Sequence, residues 1–571
     1  MGIETKQRLL EAARGDRPVD LLLRNAKIVN IFTGEVQKGH LALFEGRIAG
    51  FGEYQAKETI DLGGRYLTPG LMDAHVHIES SMVTPTQYAR AVVPKGTTTV
   101  IVDPHEIANV LGSDGVRYML HDSEDLPLDV FVMVPSCVPA TGLETAGARL
   151  EAKELAALDE PRVLGLGEVM NFPGVVAGVP EVLSKVDAFY HKRVDGHAPE
   201  LTGKALAAYR AAGIESDHEC TTAEEGLEKL RLGFRLLLRE GSVTRDLAAL
   251  VPLVNPKTLS RCLLCTDDRE PKDLLGEGHI DFLLRKSVCL GIDPVSALSM
   301  ATLNTAEYFR FKDRGALYPG ALADLVVTSD LDDFRAEMVF KNGNLVARDG
   351  QALWPDRPSS REKVCDTIRL PQLDESSFRI AGGGEKAHVI ELIPNQIVTR
   401  HLIESHTERN GEVVADSEKD LLKLAVVERH SATGRIGLGL VKGFGLKRGA
   451  IASSVAHDSH NLIILGTNDA DMLAAARAVE KLQGGWVAVV NGKVVASLAL
   501  PIAGLMSDRP LTEVAARNRE LVQATKDMGG TTDNPFMSLS FVALPVIPAL
   551  KLSDMGLVDV ESFQHIPLLL P

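Results

Sequence analysis

The chain has 571 residues, of which 45% are hydrophobic and 24% charged, and this balance excludes disorder, collagen and coiled coil as descriptions of the whole molecule. Its length predicts more than one domain, because single domains usually hold about 100–200 residues. The formal net charge of −16 opposes binding to nucleic acid, and the sequence contains no basic groove that would offset it.

The cellular location can be predicted from the N-terminal sequence, the hydropathy and the spacing of the cysteines. The first twenty residues mix charges throughout and lack the apolar run of a secretory signal. No window approaches 18 uninterrupted apolar residues, so we expect no membrane span. The six cysteines are irregularly spaced and do not form a disulfide pattern. We therefore expect a cytoplasmic protein with reduced thiols that does not act at a membrane.

The predicted elements begin with a short amphipathic helix over residues 6–13, followed by strands and tight turns over residues 19–67. Residues 323–350 show the same pattern of short strands and turns. We predict that these two stretches pair into one sheet across the sequence between them. They would form a composite small β domain whose parts lie at residues 1–69 and 321–360.

Between these stretches, eight apolar runs alternate with helical patterns at the spacing of βα units. The runs begin at residues 70, 97, 129, 162, 193, 213, 234 and 261. Continuous apolar runs separated by helices are typical of a parallel sheet that is buried on both faces. Eight such units predict an α/β fold with a TIM-type (β/α)8 barrel over residues 70–320. Each run ends in polar or ionisable residues, at the face where such barrels carry their chemistry.

The last third of the sequence predicts a separate unit. Residues 355–360 (PDRPSS) are a linker candidate because of their Pro and Ser content. Strand-like runs and one Ala-rich helix over residues 470–482 predict an extra C-terminal α/β domain over residues 361–571. The apolar segment at residues 536–553 is interrupted by Pro and Ser, so we expect it in a core or a subunit interface rather than in a bilayer.

The end of the first barrel run, Asp-Ala-His-Val-His, carries the strongest local signal for chemistry. In an extended strand, residues i and i+2 point to the same side, so His75 and His77 present two imidazoles to one point at the barrel mouth. Two imidazoles at this spacing suit a divalent metal. An HxH pair alone is a weak signal, because it often arises by chance.

Four later strand ends each add another side chain of metal-ligating type, namely Glu168, His197, His218 and Asp267. Their separations match whole numbers of βα units, which puts the six groups on the first, fourth, fifth, sixth and eighth strands at one end of the barrel. Asp268 is adjacent to Asp267, and the strand-end offset favours Asp267. Four histidines and two carboxylates can hold two divalent ions with one carboxylate bridging them, and Mn, Fe and Zn suit this set alike.

On these motifs the sequence resembles the amidohydrolase superfamily and, within it, the bacterial-type adenine deaminase family. The resemblance is carried by PGLMDAHVHIESSM, VDPHEIANVLG, GLGEVMNFPGV, DGHAP and SDHE, and it covers essentially the whole chain. It implies a binuclear metal centre with Glu168 in the bridging position, where other superfamily members use a carboxylated lysine. It also implies hydrolysis of the free base adenine to hypoxanthine and ammonia.

The predicted ligand set is consistent with that reaction. Two divalent ions lower the pKa of a shared water, so that a bridging hydroxide can attack C6 of the purine. Asp267 is placed to move a proton from this water to the leaving amine. Glu219, next to His218, is the first candidate for protonating a ring nitrogen. Its alternative role is to orient a ligating imidazole.

Two further pairs of residues keep several interpretations open. His105 and Glu106 end the second strand, so they are candidates for contacting the base or a further cation. A loop histidine beside an acid at a helix N-terminus is the plain structural alternative. His457 and His460 stand three residues apart in the C-terminal domain, where a metal contact, an active-site contact or a structural role is open to them.

Two other functions remain alternatives on the same fold. Cyclic amide hydrolases of the hydantoinase or dihydroorotase type share the barrel and metals, but many carry a lysine at the bridging position, where this sequence has Glu168. A non-catalytic scaffold would have lost the six candidate ligands. Free adenine is favoured over a nucleoside or nucleic acid because the acidic chain shows no phosphate loop or basic stripe. We expect a small-molecule substrate and a homo-oligomer, either a dimer or a tetramer.

Overall fold

The computed structural model describes residues 1–394 and 396–570. The chain begins with helix α1 (Ile3–Arg14), which starts three residues before the predicted one. The residue after the helix, Gly15, has a φ of 80° and donates its backbone N–H back to the carbonyl of Ala12. Glycine adopts this left-handed conformation without a steric penalty, so it stops the helix and turns the chain toward the first strand. That strand and its neighbours are β1 (Val19–Asn30), β2 (Glu35–Phe44), β3 (Arg47–Phe51), β4 (Ala56–Asp61) and β5 (Tyr66–Pro69).

The eight predicted apolar runs form nine parallel strands, because the eighth run is divided into two short strands. They are β6 (Leu71–His77), β7 (Thr97–Val102), β8 (Asp129–Val134), β9 (Val163–Val169), β10 (Arg193–Gly196), β11 (Ser216–Asp217), β12 (Arg235–Arg239), β13 (Cys262–Cys265) and β14 (Asp267–Asp268). One sheet runs in the order β10-β9-β8-β7-β6-β14 and a second in the order β11-β12-β13. β13 continues almost directly into β14, which pairs with β6. At the other junction between the two sheets, where β10 meets β11, the Glu215 N–H donates to Val194 O at 2.9 Å. The two sheets therefore curl into the predicted barrel.

Helices follow the strands, as the βα pattern predicted. They are α2 (Pro85–Val92), α3 (His105–Leu111), α4 (Ser113–Asp122), α5 (Ala152–Ala156), α6 (Phe172–Val176), α7 (Pro180–Ala188), α8 (Gly203–Ala211), α9 (Ala223–Arg231), α10 (Leu247–Leu250), α11 (Pro271–Gly276), α12 (Ile280–Cys289), α13 (Pro294–Met300) and α14 (Leu303–Tyr308). β6 and β7 are buried along their whole length, since helices cover one face and the barrel interior the other.

The chain then returns to the N-terminal sheet. It does so through β15 (Leu325–Thr328), β16 (Met338–Lys341), β17 (Asn344–Arg348) and β18 (Gln351–Ala352). β15 pairs antiparallel with β5, with Val326 opposite Thr68, and a nine-stranded sheet results. The predicted pairing of the two β stretches is thus observed, while the exact domain boundaries stay a prediction.

The predicted linker is fastened to the barrel instead of hanging free. Residues 355–360 contain neither helix nor strand. Ser359 is nevertheless buried, and its hydroxyl lies 2.6 Å from that of Thr84. Arg357 donates to the backbone carbonyl of Asp122 at 2.7 Å. These bonds hold the start of the C-terminal domain against the face formed by α2 and α4.

The C-terminal domain is the predicted extra α/β unit. Its strands are β19 (Ile380–Ala381), β20 (Lys386–Leu392), β21 (Thr399–Ser405), β22 (Thr407–Arg409), β23 (Glu412–Val414), β24 (Leu422–Val427), β25 (Ile436–Lys442), β26 (Ala450–Ser453), β27 (Leu462–Gly466), β28 (Gly485–Val490), β29 (Lys493–Ala499), β30 (Leu550–Ser553), β31 (Gly556–Asp559), β32 (Gln564–Ile566) and β33 (Leu569–Leu570). Its helices are α15 (Asp469–Leu482), α16 (Leu511–Asp527) and α17 (Pro535–Val542). Eight strands run in the order β21-β20-β25-β24-β27-β26-β28-β29, and β33 adds to β20.

The apolar segment after residue 535 belongs to the core of this domain. Phe536, on α17, stacks on Trp486 with ring centroids 4.8 Å apart. Leu539 and Val542 are fully buried as well. Within the described chain no helix has both the length and the apolar character that a bilayer crossing requires. All six cysteines are free.

Candidate metal centre

His75 and His77 lie at the end of β6, where the strand period places both imidazoles on one side. Their Nε2 atoms are 3.2 Å apart, and the two side chains are only 2% and 3% exposed. His77 donates from Nδ1 to the backbone carbonyl of Asp103 at 2.8 Å. This bond assigns the hydrogen of a neutral ring to Nδ1 and leaves the Nε2 lone pair facing His75. Such an imidazole is prepared to ligate a metal.

Glu168, at the end of β9, lies between two sets of histidines. Its Oε1 is 2.9 Å from His77 Nε2 and 3.2 Å from His75 Nε2. Its Oε2 is 2.8 Å from His197 Nδ1 and 3.6 Å from His218 Nε2. The two oxygens of one buried carboxylate therefore face two different pairs of imidazoles, as a bridging ligand would.

Asp267 approaches the same point from the end of the eighth strand. Its Oδ1 lies 3.0 Å from His77 Nε2, and its Oδ2 accepts a hydrogen bond from Arg239 Nη1 at 2.9 Å. Its φ of 57° is a left-handed conformation that Asp tolerates better than most residues. Asp268 instead accepts from the Ser80 hydroxyl. The structure thus directs the first of the two adjacent aspartates toward the histidines.

Arg239 is a residue that the motifs did not single out. It is the last residue of β12, the seventh strand of the barrel, and it is buried. It donates to both carboxylate oxygens of Glu219 as well as to Asp267. Although burial raises the pKa of Glu219, the Arg239 guanidinium holds it below its usual range. The one signal for it in the sequence was its position, an ionisable side chain at the end of the seventh strand.

Charge is concentrated in this group. Although burial lowers the pKa of His75, the neighbouring carboxylates of Asp267 and Glu168 raise it to about 10. The coulombic field of Glu168 likewise raises the pKa of His77 well above its usual value, against the effect of burial. Buried carboxylates that stabilise positive charge this strongly, beside imidazole lone pairs, are the donor set of a divalent cation.

His105 and Glu106 begin helix α3 and do not end the second strand as predicted, and they connect this group to the C-terminal domain. His105 Nδ1 is 3.7 Å from Glu168 Oε1, and its Nε2 is 3.4 Å from Glu106 Oε1. Glu106 in turn lies 2.5 Å from His457 Nδ1 and contacts His460 Nε2 through its other oxygen. The two residue pairs that the sequence left open therefore meet each other at the barrel mouth.

One cavity contains most of these groups. Among the predicted residues it is lined by His77, His105, Glu106, Glu168, His197, His218, Glu219 and Asp267. The C-terminal domain supplies His457, Asp458, Phe541 and several aliphatic side chains to its wall. The structure thus brings all the predicted side chains together around one centre, with His75 behind His77. Their roles as ligands and catalysts stay predictions.

Comparisons with known proteins extend over both parts of the chain. Residues 66–346 match the amidohydrolase family, and residues 396–564 match the adenine deaminase C-terminal domain. The adenine deaminase of Desulfatibacillum aliphaticivorans is 52% identical over 98% of this chain and 99% of its own. Adenine deaminase 2 of Carboxydothermus hydrogenoformans is 50% identical over 98% of each chain. The adenine deaminase of Nitratidesulfovibrio vulgaris is 52% identical over 97% of each chain.

Proposed function

Because the chain belongs to the adenine deaminase family, within the metal-dependent amidohydrolases, we propose that it hydrolyses adenine to hypoxanthine and ammonia. The observation that carries the proposal is the placement of the Glu168 carboxylate, whose two oxygens face separate pairs of histidines. No lysine takes this position, which favours a deaminase over the cyclic amide hydrolases.

We assign two cation positions to the centre. His75, His77, Asp267 and Glu168 Oε1 would hold one ion, and His197, His218 and Glu168 Oε2 the other. The donor set fits, because Glu168 Oε1 is buried and has no hydrogen-bond partner among the described residues. When bound, the ions supply Lewis acidity, lowering the pKa of a water and stabilising the charge that develops on it. Histidine and carboxylate ligands suit Mn, Fe or Zn.

Asp267 is the residue that we assign to proton transfer. Its Oδ1 faces the histidine pair, while Arg239 donates to its Oδ2 and stabilises the ionised form. The carboxylate can therefore accept a proton from the attacking water at Oδ1. It then returns this proton to the departing amino group, which must leave as ammonia.

Glu219 fits a role in supporting metal binding better than that of the ring acid. A carboxylate that accepts hydrogen bonds from both ends of a buried guanidinium stays ionised, so it has no proton to give. Its Oε1 lies 3.2 Å from His218 Nε2 and 3.5 Å from His197 Nδ1. Because these are the nitrogens that would ligate an ion, we assign Glu219 to supporting metal binding at the second cation position.

The cavity wall suits a flat, uncharged base. Phe541, Leu544, Val546 and Ile547 line it opposite the polar centre. Apolar side chains of this kind exclude water, and they offer dispersion contacts to a purine ring. The polar groups are then left to select the edge of the base that reacts.

The decisive experiment is a deamination assay on protein purified with added Mn or Fe. Adenine absorbance is followed beside adenosine, hydantoin and dihydroorotate as control substrates. We expect turnover of adenine alone, and loss of turnover in Glu168→Gln and Asp267→Asn. A metal-loaded enzyme that hydrolyses hydantoin or dihydroorotate but leaves adenine unchanged would refute the proposal.

A further inference from the structure

His457 lies outside the barrel sequence but inside the cavity. It follows β26 in the C-terminal domain, is buried, and shares the cavity wall with Glu168 and Asp267. Its ring stacks on Phe541, with centroids 4.7 Å apart and an interplanar angle of 21°. Packing on one face fixes the plane of the imidazole, so both nitrogens have defined directions.

The two nitrogens of His457 have different surroundings. Nδ1 lies 2.5 Å from Glu106 Oε1, so it donates to that carboxylate. Nε2 is buried and has no hydrogen-bond partner among the residues that the structure describes. A buried polar nitrogen without a partner is costly unless something else binds it. One nitrogen is thus anchored, and the other is left for a ligand in the cavity.

His460 decides between a cation and a hydrogen-bonded set at Glu106. The backbone N–H of Ala456 donates to His460 Nδ1 at 3.1 Å, so Nδ1 carries the lone pair of the ring. Nε2 then carries the hydrogen and donates it to Glu106. A metal at this trio would need a lone pair on that same Nε2. The trio therefore orients His457 through Glu106 and does not form a third cation site.

The charge around His457 favours a donor at Nε2. Although burial lowers its pKa, the Glu106 carboxylate raises it to about 9, with smaller contributions from Asp268 and Asp458. At neutral pH the ring is then an imidazolium, and both nitrogens carry hydrogens. The ring nitrogens of a neutral purine other than the one bearing hydrogen are acceptors, so they complement this group.

We propose that His457 binds the substrate directly, donating a hydrogen bond from Nε2 to a ring nitrogen of the purine, with Glu106 as its positioning residue. The proposal rests on the proposed function. Attack at C6 moves electron density onto the ring nitrogens, so this hydrogen bond strengthens toward the transition state. The C-terminal domain would therefore complete the active site and would not serve only as a support for the barrel.

The test pairs one enzyme nitrogen with one substrate nitrogen. The variant His457→Asn keeps an amide near the place of Nδ1 and removes Nε2. For wild type and His457→Asn, kcat/KM is measured with adenine, 3-deazaadenine and 7-deazaadenine, and Ki with 1-deazaadenine. We expect one deaza compound to be about 10- to 100-fold worse than adenine for wild type, the range of a charged hydrogen bond. For His457→Asn the same substitution should change the constant less than about threefold.

Two further variants keep the result interpretable. His457→Gln places an amide near the position of Nε2, so it should recover part of the discrimination even if His457→Asn folds poorly. His401→Asn is the control, because this histidine of β21 contacts His388 and is not among the residues that line the cavity, so its effect should be equal for every compound.

The outcomes separate the two proposals. Equal ratios between adenine and each deaza compound in wild type and in the position-457 variants would overturn the role of His457. A wild-type enzyme without adenine turnover would instead overturn the proposed function.

Discussion

The Glu168 carboxylate turns Oε2 toward His197, 2.8 Å from its Nδ1, and leaves Oε1 to the histidine pair of β6. If this carboxylate joins two cations, Glu168→Gln should lower the metal content and reduce kcat by roughly 100-fold or more, since an amide is a poorer bridging ligand. Elemental analysis of the purified variant, together with turnover at added Mn, checks both. Glu181→Gln, an exposed change on α7, is the control. Full metal content with normal turnover would remove the bridging role.

Asp267 and Asp268 offer a test within one dipeptide. Asp267 faces the histidines, while Asp268 is held by Ser80. We expect Asp267→Asn to lower kcat by about 10²–10⁴-fold, the usual contribution of a positioned general base. Asp268→Asn keeps an acceptor for Ser80 and should cost less than about tenfold by the same scale. Steady-state kinetics of both variants measure this difference, and a reversed order would assign the proton transfer to Asp268.

Glu219→Gln distinguishes a residue that supports metal binding from a proton donor. A carboxylate that supports a metal site typically contributes about 10- to 100-fold in metal affinity or activity. We therefore expect turnover of the variant to return to within about tenfold of wild type at saturating Mn. Glu215→Gln also loses an arginine partner, Arg193, and serves as the control. A deficit of more than about 100-fold at saturating metal would restore Glu219 as the ring acid.

The sequence could predict that these side chains would converge, because the geometry of the barrel is regular. A strand period of two aligns His75 with His77, and parallel strands in a barrel bring their carboxyl ends to one rim. Separation along the chain then matters little, so counting βα units was enough to assign Asp267 and His77 to one site. The order of residues within a strand and of strands along the chain was enough for each of these predictions.

The part that the sequence left open depends on how one domain sits on another. His457 and Phe541 lie in an irregular loop and a short helix of the C-terminal domain. No periodic pattern links them to the barrel, and their approach to Glu106 follows from the docking of the two domains. The Pro-rich segment around Phe541 could be recognised as buried, but not as a wall of the cavity.

Lys551 ties two segments of that wall together. Its side chain is fully buried and donates from Nζ to the backbone carbonyls of Ile397 and Phe541, each at 2.9 Å. Burial lowers its pKa to about 7. The unfolded chain holds this lysine near its ordinary pKa of about 10.4, so between pH 7 and 10 the unfolded state binds the extra proton. Stability should therefore rise with pH across this window and stay level below it.

The measurement compares the free energy of unfolding of wild type and Lys551→Met at pH 7, 8 and 9. Replacing the lysine removes its titration, so the gap between the two proteins should change by about 1.4 kcal/mol for each pH unit, in favour of wild type at higher pH. Lys447→Met, a largely exposed lysine, is the control and should show no such slope. A gap that is constant from pH 7 to 9 would mean that Lys551 stays protonated in the folded protein, and that the two carbonyls stabilise its charge enough to offset burial.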